Sequence, residues 1–146
     1  MTNTRLKILA LASAVIVLIT ACDTGLTGVE NLEVGDCFDD PSDTEDIAFI
    51  QTVSCDEPHQ NEVYATLTLT EFETYPGRDT VDDAALVQCL ELFEDYVGAP
   101  YETSSLDIAF LTPTEESWSE GDRGATCALY SLDGQMLVGS MRGTGR

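Results

Sequence analysis

Hydrophobic positions come first as one block and then as short alternations. Residues 8–19 are apolar apart from Ser13, and Arg5 and Lys7 precede them with no acid among the first 21 residues. Basic then apolar is the plan of a secretory signal. A dozen apolar residues also fall short of the roughly 20 that a helix needs to span a bilayer. Further on, residues 32–38 open a domain, and residues 47–54 and 62–70 read as antiparallel strands. The second of these sets Val63, Ala65, Leu67 and Leu69 on one face. Tyr75-Pro76-Gly77 marks a turn, and Asp79 or Thr80 can cap a helix running to about Val97, with Asp82 and Asp83 near its positive end. Val81, Ala85, Cys89, Leu92 and Tyr96 recur at helical spacing, with Leu86, Phe93 and Val97 widening the stripe until Gly98 and Pro100 end it. Residues 105–111 and 125–131 read as further strands, and 135–141 as a shorter last one after Asp133-Gly134. The pattern predicts an α+β domain, an antiparallel β-sheet with one main α-helix packed on it.

The apolar block ends in Leu18-Ile19-Thr20-Ala21-Cys22, which looks like a bacterial lipobox: a branched residue, two small ones, then the cysteine that receives lipid. The expected organisation is a lipoprotein signal peptide over residues 1–21, a short tether over 22–31 carrying Gly25 and Gly28, and the domain over 32–146. Lipidation at Cys22 would hold the protein on the extracytoplasmic face of the cell membrane, since two or more acyl chains anchor stably where one does not.

Charge supports that route of attachment. All 27 acids follow Cys22, and the bases there are Arg78, Arg123, Arg142 and Arg146, so the cleaved protein carries a net charge of −23. Such a surface repels nucleic acid and anionic headgroups, leaving the lipid as the membrane contact. The densest acids, Asp36, Asp39, Asp40, Asp43, Glu45 and Asp46, lack the EF-hand order, so a built calcium cage is not indicated.

With Cys22 assigned to lipid, Cys37, Cys55, Cys89 and Cys127 remain, an even set suited to two disulfides in an exported domain. Zinc is disfavoured by their wide spacing and the single histidine. Three pairings are possible. Cys37–Cys55 and Cys89–Cys127 are favoured, because the first flanks a hairpin-like excursion and the second ties the helix to a late strand.

Candidate chemistry is sparse. His59 lies between carboxylates in Cys55-Asp56-Glu57-Pro58-His59-Gln60-Asn61-Glu62, an arrangement open to acid–base work or to fixing a loop beside a disulfide. No G-x-S-x-G elbow, phosphate loop or dinucleotide fingerprint occurs, so neither catalysis nor a cofactor is expected. Trp118 reads as a lid over the core or as a partner-facing anchor, with burial the better account.

The order of pieces also resembles a known family. Val34-Gly35-Asp36-Cys37-Phe38 is followed by Val53-Ser54-Cys55, Pro58-His59, Glu62-Val63-Tyr64-Ala65 and Tyr75-Pro76-Gly77. Cys89, Pro113, Trp118, Gly121-Asp122-Arg123 and Cys127 complete the series. The string, over about residues 32–142, is similar to the septum formation-related domain of actinobacterial membrane proteins and lipoproteins. The resemblance implies an extracytoplasmic, disulfide-bearing, non-catalytic domain acting near the division septum. A lipobox stands here where many relatives carry a transmembrane helix, so roles needing a cytoplasmic tail are not implied. The reading is a lipid-anchored binding domain of the envelope that contacts an envelope or division protein, with Pro58, His59, Trp118 and Arg123 as candidate surface or supporting residues. The alternatives are an envelope-polymer hydrolase using His59 and a passive acidic surface lipoprotein.

Overall fold

The structure, a computed structural model, describes residues 25–41 and 47–146. The expected signal peptide over residues 1–21, Cys22 and the acids Asp43, Glu45 and Asp46 lie outside the described residues.

Six antiparallel strands form one sheet in the order β1-β3-β2-β4-β6-β5. They are β1 (Leu26–Gly28), β2 (Cys37–Phe38), β3 (Phe49–Val53), β4 (Asn61–Thr68), β5 (Leu106–Leu111) and β6 (Gly124–Ser131). One long helix, α1 (Arg78–Val97), crosses a face of this sheet, and a short one, α2 (Glu115–Ser119), sits between β5 and β6. The α+β architecture expected from periodicity is the one observed, and the two disulfides join Cys37 to Cys55 and Cys89 to Cys127.

Helix α1 begins at Arg78, because Gly77 at φ 101° turns the chain directly into it; neither Asp79 nor Thr80 serves as the cap. Asp79 does lie in the first turn, where a carboxylate favours the helix dipole. Asp82 instead accepts a hydrogen bond from the Thr112 hydroxyl, tying the helix to the β5–α2 connection. The helix stops where expected, at Gly98 in the left-handed conformation. Val81, Ala85, Cys89, Phe93, Tyr96 and Val97 are buried. Leu92, predicted on that face, is 39% exposed, because the buried stripe drifts around the helix from Cys89 to Phe93.

A β-bulge separates two faces of β4. Val63 pairs with Ala128 and Ala65 with Cys127, leaving Tyr64 as the extra residue. Tyr64 and Ala65 therefore both enter the core under α1, with Phe93, Tyr96, Cys127 and Leu129. Val63, expected beside Ala65, faces the other way into a cluster with Leu32, Phe38, Ile50 and Ala128. Val29 and Ile47 from one end of the sheet, and Ala109 and Leu111 from the other, pack onto this second cluster. The sheet is thus curled until its edges approach, and it covers its second face with itself.

Three segments depart from the expected elements. Within residues 32–38, only Cys37–Phe38 is strand. Part of the expected tether enters the fold, since Leu26–Gly28 pairs with β3 and Val29–Asn31 forms a 3-10 turn. The predicted strand over 135–141 contributes only a bridge between Leu137 and His59; Leu137 and Met141 are nevertheless buried beneath α1. At the β5 edge, the Leu106 N–H is taken by the Ser104 hydroxyl and that of Ile108 by the Asp107 carboxylate, so side chains cap the outer rim.

Candidate functional site

The four residues singled out from sequence fall in two places. Pro58 and His59 precede β4, whereas Trp118 and Arg123 lie by its far end, where Leu69 donates to the Arg123 carbonyl. Eight strand residues at about 3.3 Å each separate these places by roughly 26 Å. They do not form one constellation.

Pro58 is exposed and His59 fully buried. The His59 Nδ1 lies 2.8 Å from the Glu57 carbonyl, which can only accept, so Nδ1 carries the hydrogen. The His59 backbone exchanges two hydrogen bonds with Leu137, of 3.0 and 2.8 Å. Its Nε2 is buried without a hydrogen-bond partner. A ring nitrogen of His59, the Cys37 sulfur and a Glu62 oxygen lie within 4.8 Å of one another. Cys37 is bonded to Cys55 and both Glu62 oxygens already accept hydrogen bonds, so the trio offers one uncommitted ligand atom, too few to hold a metal.

Glu62 is the buried acid that sequence reasoning passed over. Its Oε1 accepts from the hydroxyls of Tyr96 at 2.6 Å and Ser140 at 2.5 Å, and its Oε2 accepts from the Met141 N–H at 2.6 Å. Burial, followed by the hydrogen bond to Glu62, pushes the Tyr96 phenol up to about 12. Arg142 stacks over the Tyr96 ring, 4.4 Å from its centre. This network ties the C-terminal segment to β4 and α1 and commits both Glu62 oxygens.

The other end of the molecule holds an open groove. Helix α2 is set by a capping box in which the Thr114 side chain accepts from the Ser117 N–H while the Ser117 hydroxyl engages the Thr114 backbone. Trp118, only 3% exposed, drives into Leu69, Val81, Ala85 and Ala125, with Tyr75 edge-on at 5.8 Å. Arg123 lies over the indole at 3.9 Å and donates to the carbonyls of Trp118 and Asp122 at 2.8 and 2.6 Å. Trp118 is therefore a core lid, and Arg123 fastens the carboxyl end of α2.

So fastened, α2 forms one wall of a groove of about 770 Å³. Glu116 and Ser117 line it from α2 and Glu120 from its C-cap, Thr112 and Pro113 from the β5–α2 connection, and Val29, Glu30, Ile47, Ala48 and Phe49 from the β1–β3 side. It lies where the edges of the curled sheet approach each other. No sequence motif marks these residues, because they come together through sheet curvature. The one local signal is Thr114-x-x-Ser117 followed by Trp118, a helix start between the strands expected over 105–111 and 125–131.

No curated protein and no solved structure is similar enough to count as a match. A family model described as septum formation matches residues 24–135, which takes in β1 and both walls of the groove and spans well over half of the 146-residue chain. The chain belongs to the septum formation family.

Proposed function

We propose that this protein is a lipid-anchored, extracytoplasmic binding domain of the cell envelope, serving septum formation by recognition of a partner. Family membership supports the division-related role, and the lipobox ending at Cys22 supports the anchor. The observation that carries the binding reading is the groove beside α2, whose volume lies in the range of ligand-holding clefts and whose wall is locked by Trp118 and Arg123. The hydrolase alternative gains no support from His59, which has no exposed surface and does not line the groove.

A photoreactive amino acid placed at Phe49 in living cells tests the reading. A discrete crosslinked envelope or division protein is expected, and the same probe at Val87, on the outer side of α1, should not capture it. An empty result from Phe49, or equal capture from Val87, overturns the proposal in favour of a passive acidic surface protein.

A further inference from the structure

The groove has a chemical character that specifies its occupant. Glu30, Glu116, Glu120 and Asp122 lie along it, and none of its lining residues is a lysine, arginine or histidine. The Glu116 and Glu120 side chains are exposed, and their carboxylates make no hydrogen bond or ion pair with another described residue. The Glu30 carboxylate accepts one bond from Asn31, and that of Asp122 one from the Gly124 N–H. Between these acids the surface is apolar: Val29, Ile47 and Pro113 line it, and Phe49 leaves 61% of its surface to solvent.

These acids do not form a cage for an ion. Among the described residues, the one set of three or more ligand atoms within mutual reach is Cys37, His59 and Glu62, away from the groove. The groove carboxylates are spread along its walls, so their charge is matched by several cations spaced along a chain. An exposed aromatic set among spaced carboxylates fits apolar and basic side chains in turn. The net charge of −21 over the whole sequence reinforces this selection, drawing basic segments in and repelling acidic ones. With α2 pinned by its capping box and Arg123, the wall is formed before binding, which lowers the ordering cost.

We propose that the groove between α2 and the β1–β3 edge binds a basic, partly apolar segment of a partner protein, its lysine or arginine side chains meeting Glu30, Glu116, Glu120 and Asp122 and an apolar side chain lying on Phe49. This rests on the binding reading above and adds the chemistry of the partner.

The test is fluorescence anisotropy of a dye-labelled octapeptide alternating arginine with leucine, titrated onto the full-length protein in uncharged detergent. Binding is expected, weakening as salt is raised, whereas the same peptide with glutamate for arginine stays free. E116Q/E120Q should weaken binding about tenfold and flatten its salt dependence. F49S should weaken it without changing the salt dependence, and V87S should leave it unchanged. All three variants replace exposed side chains, and unaltered circular dichroism melts would show their folds intact. Peptide binding insensitive to both groove variants, or lost equally in V87S, overturns the proposal. So does calcium binding, read by calorimetry without peptide, that E116Q/E120Q abolishes, since that would make the groove a cation site. Crosslinking from Phe49 in cells without octapeptide binding would sink the basic-segment chemistry alone; octapeptide binding without crosslinking would sink the envelope-partner reading alone.

Discussion

The carboxylate of Glu62 accepts a 2.6 Å hydrogen bond from the backbone N–H of Met141, 79 residues away in sequence. With the Tyr96 and Ser140 hydroxyls on its other oxygen, this buried acid clasps strand, helix and C-terminal segment together. Replacing it by alanine strands two buried donors, the Tyr96 hydroxyl and the Met141 N–H, each costing about 1–3 kcal/mol if left unpaired, while the exposed Ser140 can turn to water. E62A should therefore lose at least about 2 kcal/mol in urea denaturation, against about 1 kcal/mol for Y96F. Equal, small losses in the two variants would show that the clasp does not hold the tail.

Trp118 is the sole tryptophan and is 3% exposed, so the native protein should emit as a buried indole, shielded from iodide. R123A removes the cation over the ring and two bonds to the end of α2. It should admit the quencher while costing about 1–2 kcal/mol, whereas W118A should cost about 3–5 kcal/mol through the cavity it leaves. Emission of an exposed indole in the native protein would contradict this placement.

Disulfides that close loops of 18 and 38 residues should contribute about 3 and about 4 kcal/mol respectively on the chain-entropy model. C37S/C55S should consequently melt above C89S/C127S. The second pair lies wholly in the core, joining α1 to β6, which widens the gap. Non-reducing peptide mapping of the native protein should recover these two linkages, and a Cys37–Cys89 peptide would refute them.

Burial and then the Glu62 hydrogen bond push Tyr96 up to about 12, and the Asp107 hydrogen bond and then burial do the same for Tyr101. Tyr64, buried in the core, and Tyr130, bonded to Asp107, move in the same direction. The folded chain holds these protons more tightly than the unfolded one. Their stabilisation is complete below pH 10 and disappears as pH rises from there through about 12. Phenolate absorbance should accordingly rise together with loss of far-ultraviolet ellipticity. Ionisation of Tyr64, Tyr96, Tyr101 and Tyr130 near pH 10 with the fold intact would contradict it.

At Cys22, substitution by serine should abolish incorporation of labelled fatty acid and free the protein from the membrane fraction. A protein cleaved before Cys22 would carry a charge of −23, which offers no substitute attraction to anionic lipid. Retention of C22S C-terminal fragments on stripped membranes would point to another anchor.

The helix ending at Val97, its stop at Gly98, the α+β class and both disulfide pairings could be read from residue order, whereas the helix start at Arg78 was set by Gly77 rather than by Asp79 or Thr80. Each rests on local periodicity, on one glycine's conformational freedom, or on the small number of ways to pair four cysteines. Trp118 as a lid was likewise readable, since an indole so large is costly to leave in water. Other features depended on partners distant in the chain. A single bulge at Tyr64 sends Val63 to the face opposite Ala65, which strict alternation cannot anticipate. Residues 135–141 form only the Leu137–His59 bridge because the N–H groups on either side are bonded elsewhere, that of Gln135 to the Asp133 carboxylate, that of Gly139 to the Cys55 carbonyl and that of Met141 to Glu62. The groove exists because packing of Val29 and Ile47 against the cluster that also holds Ala109 and Leu111 curls the sheet, bringing Phe49 toward Glu116. Periodicity records which side of an element is apolar; curvature and long-range hydrogen bonds settle which of those sides meet.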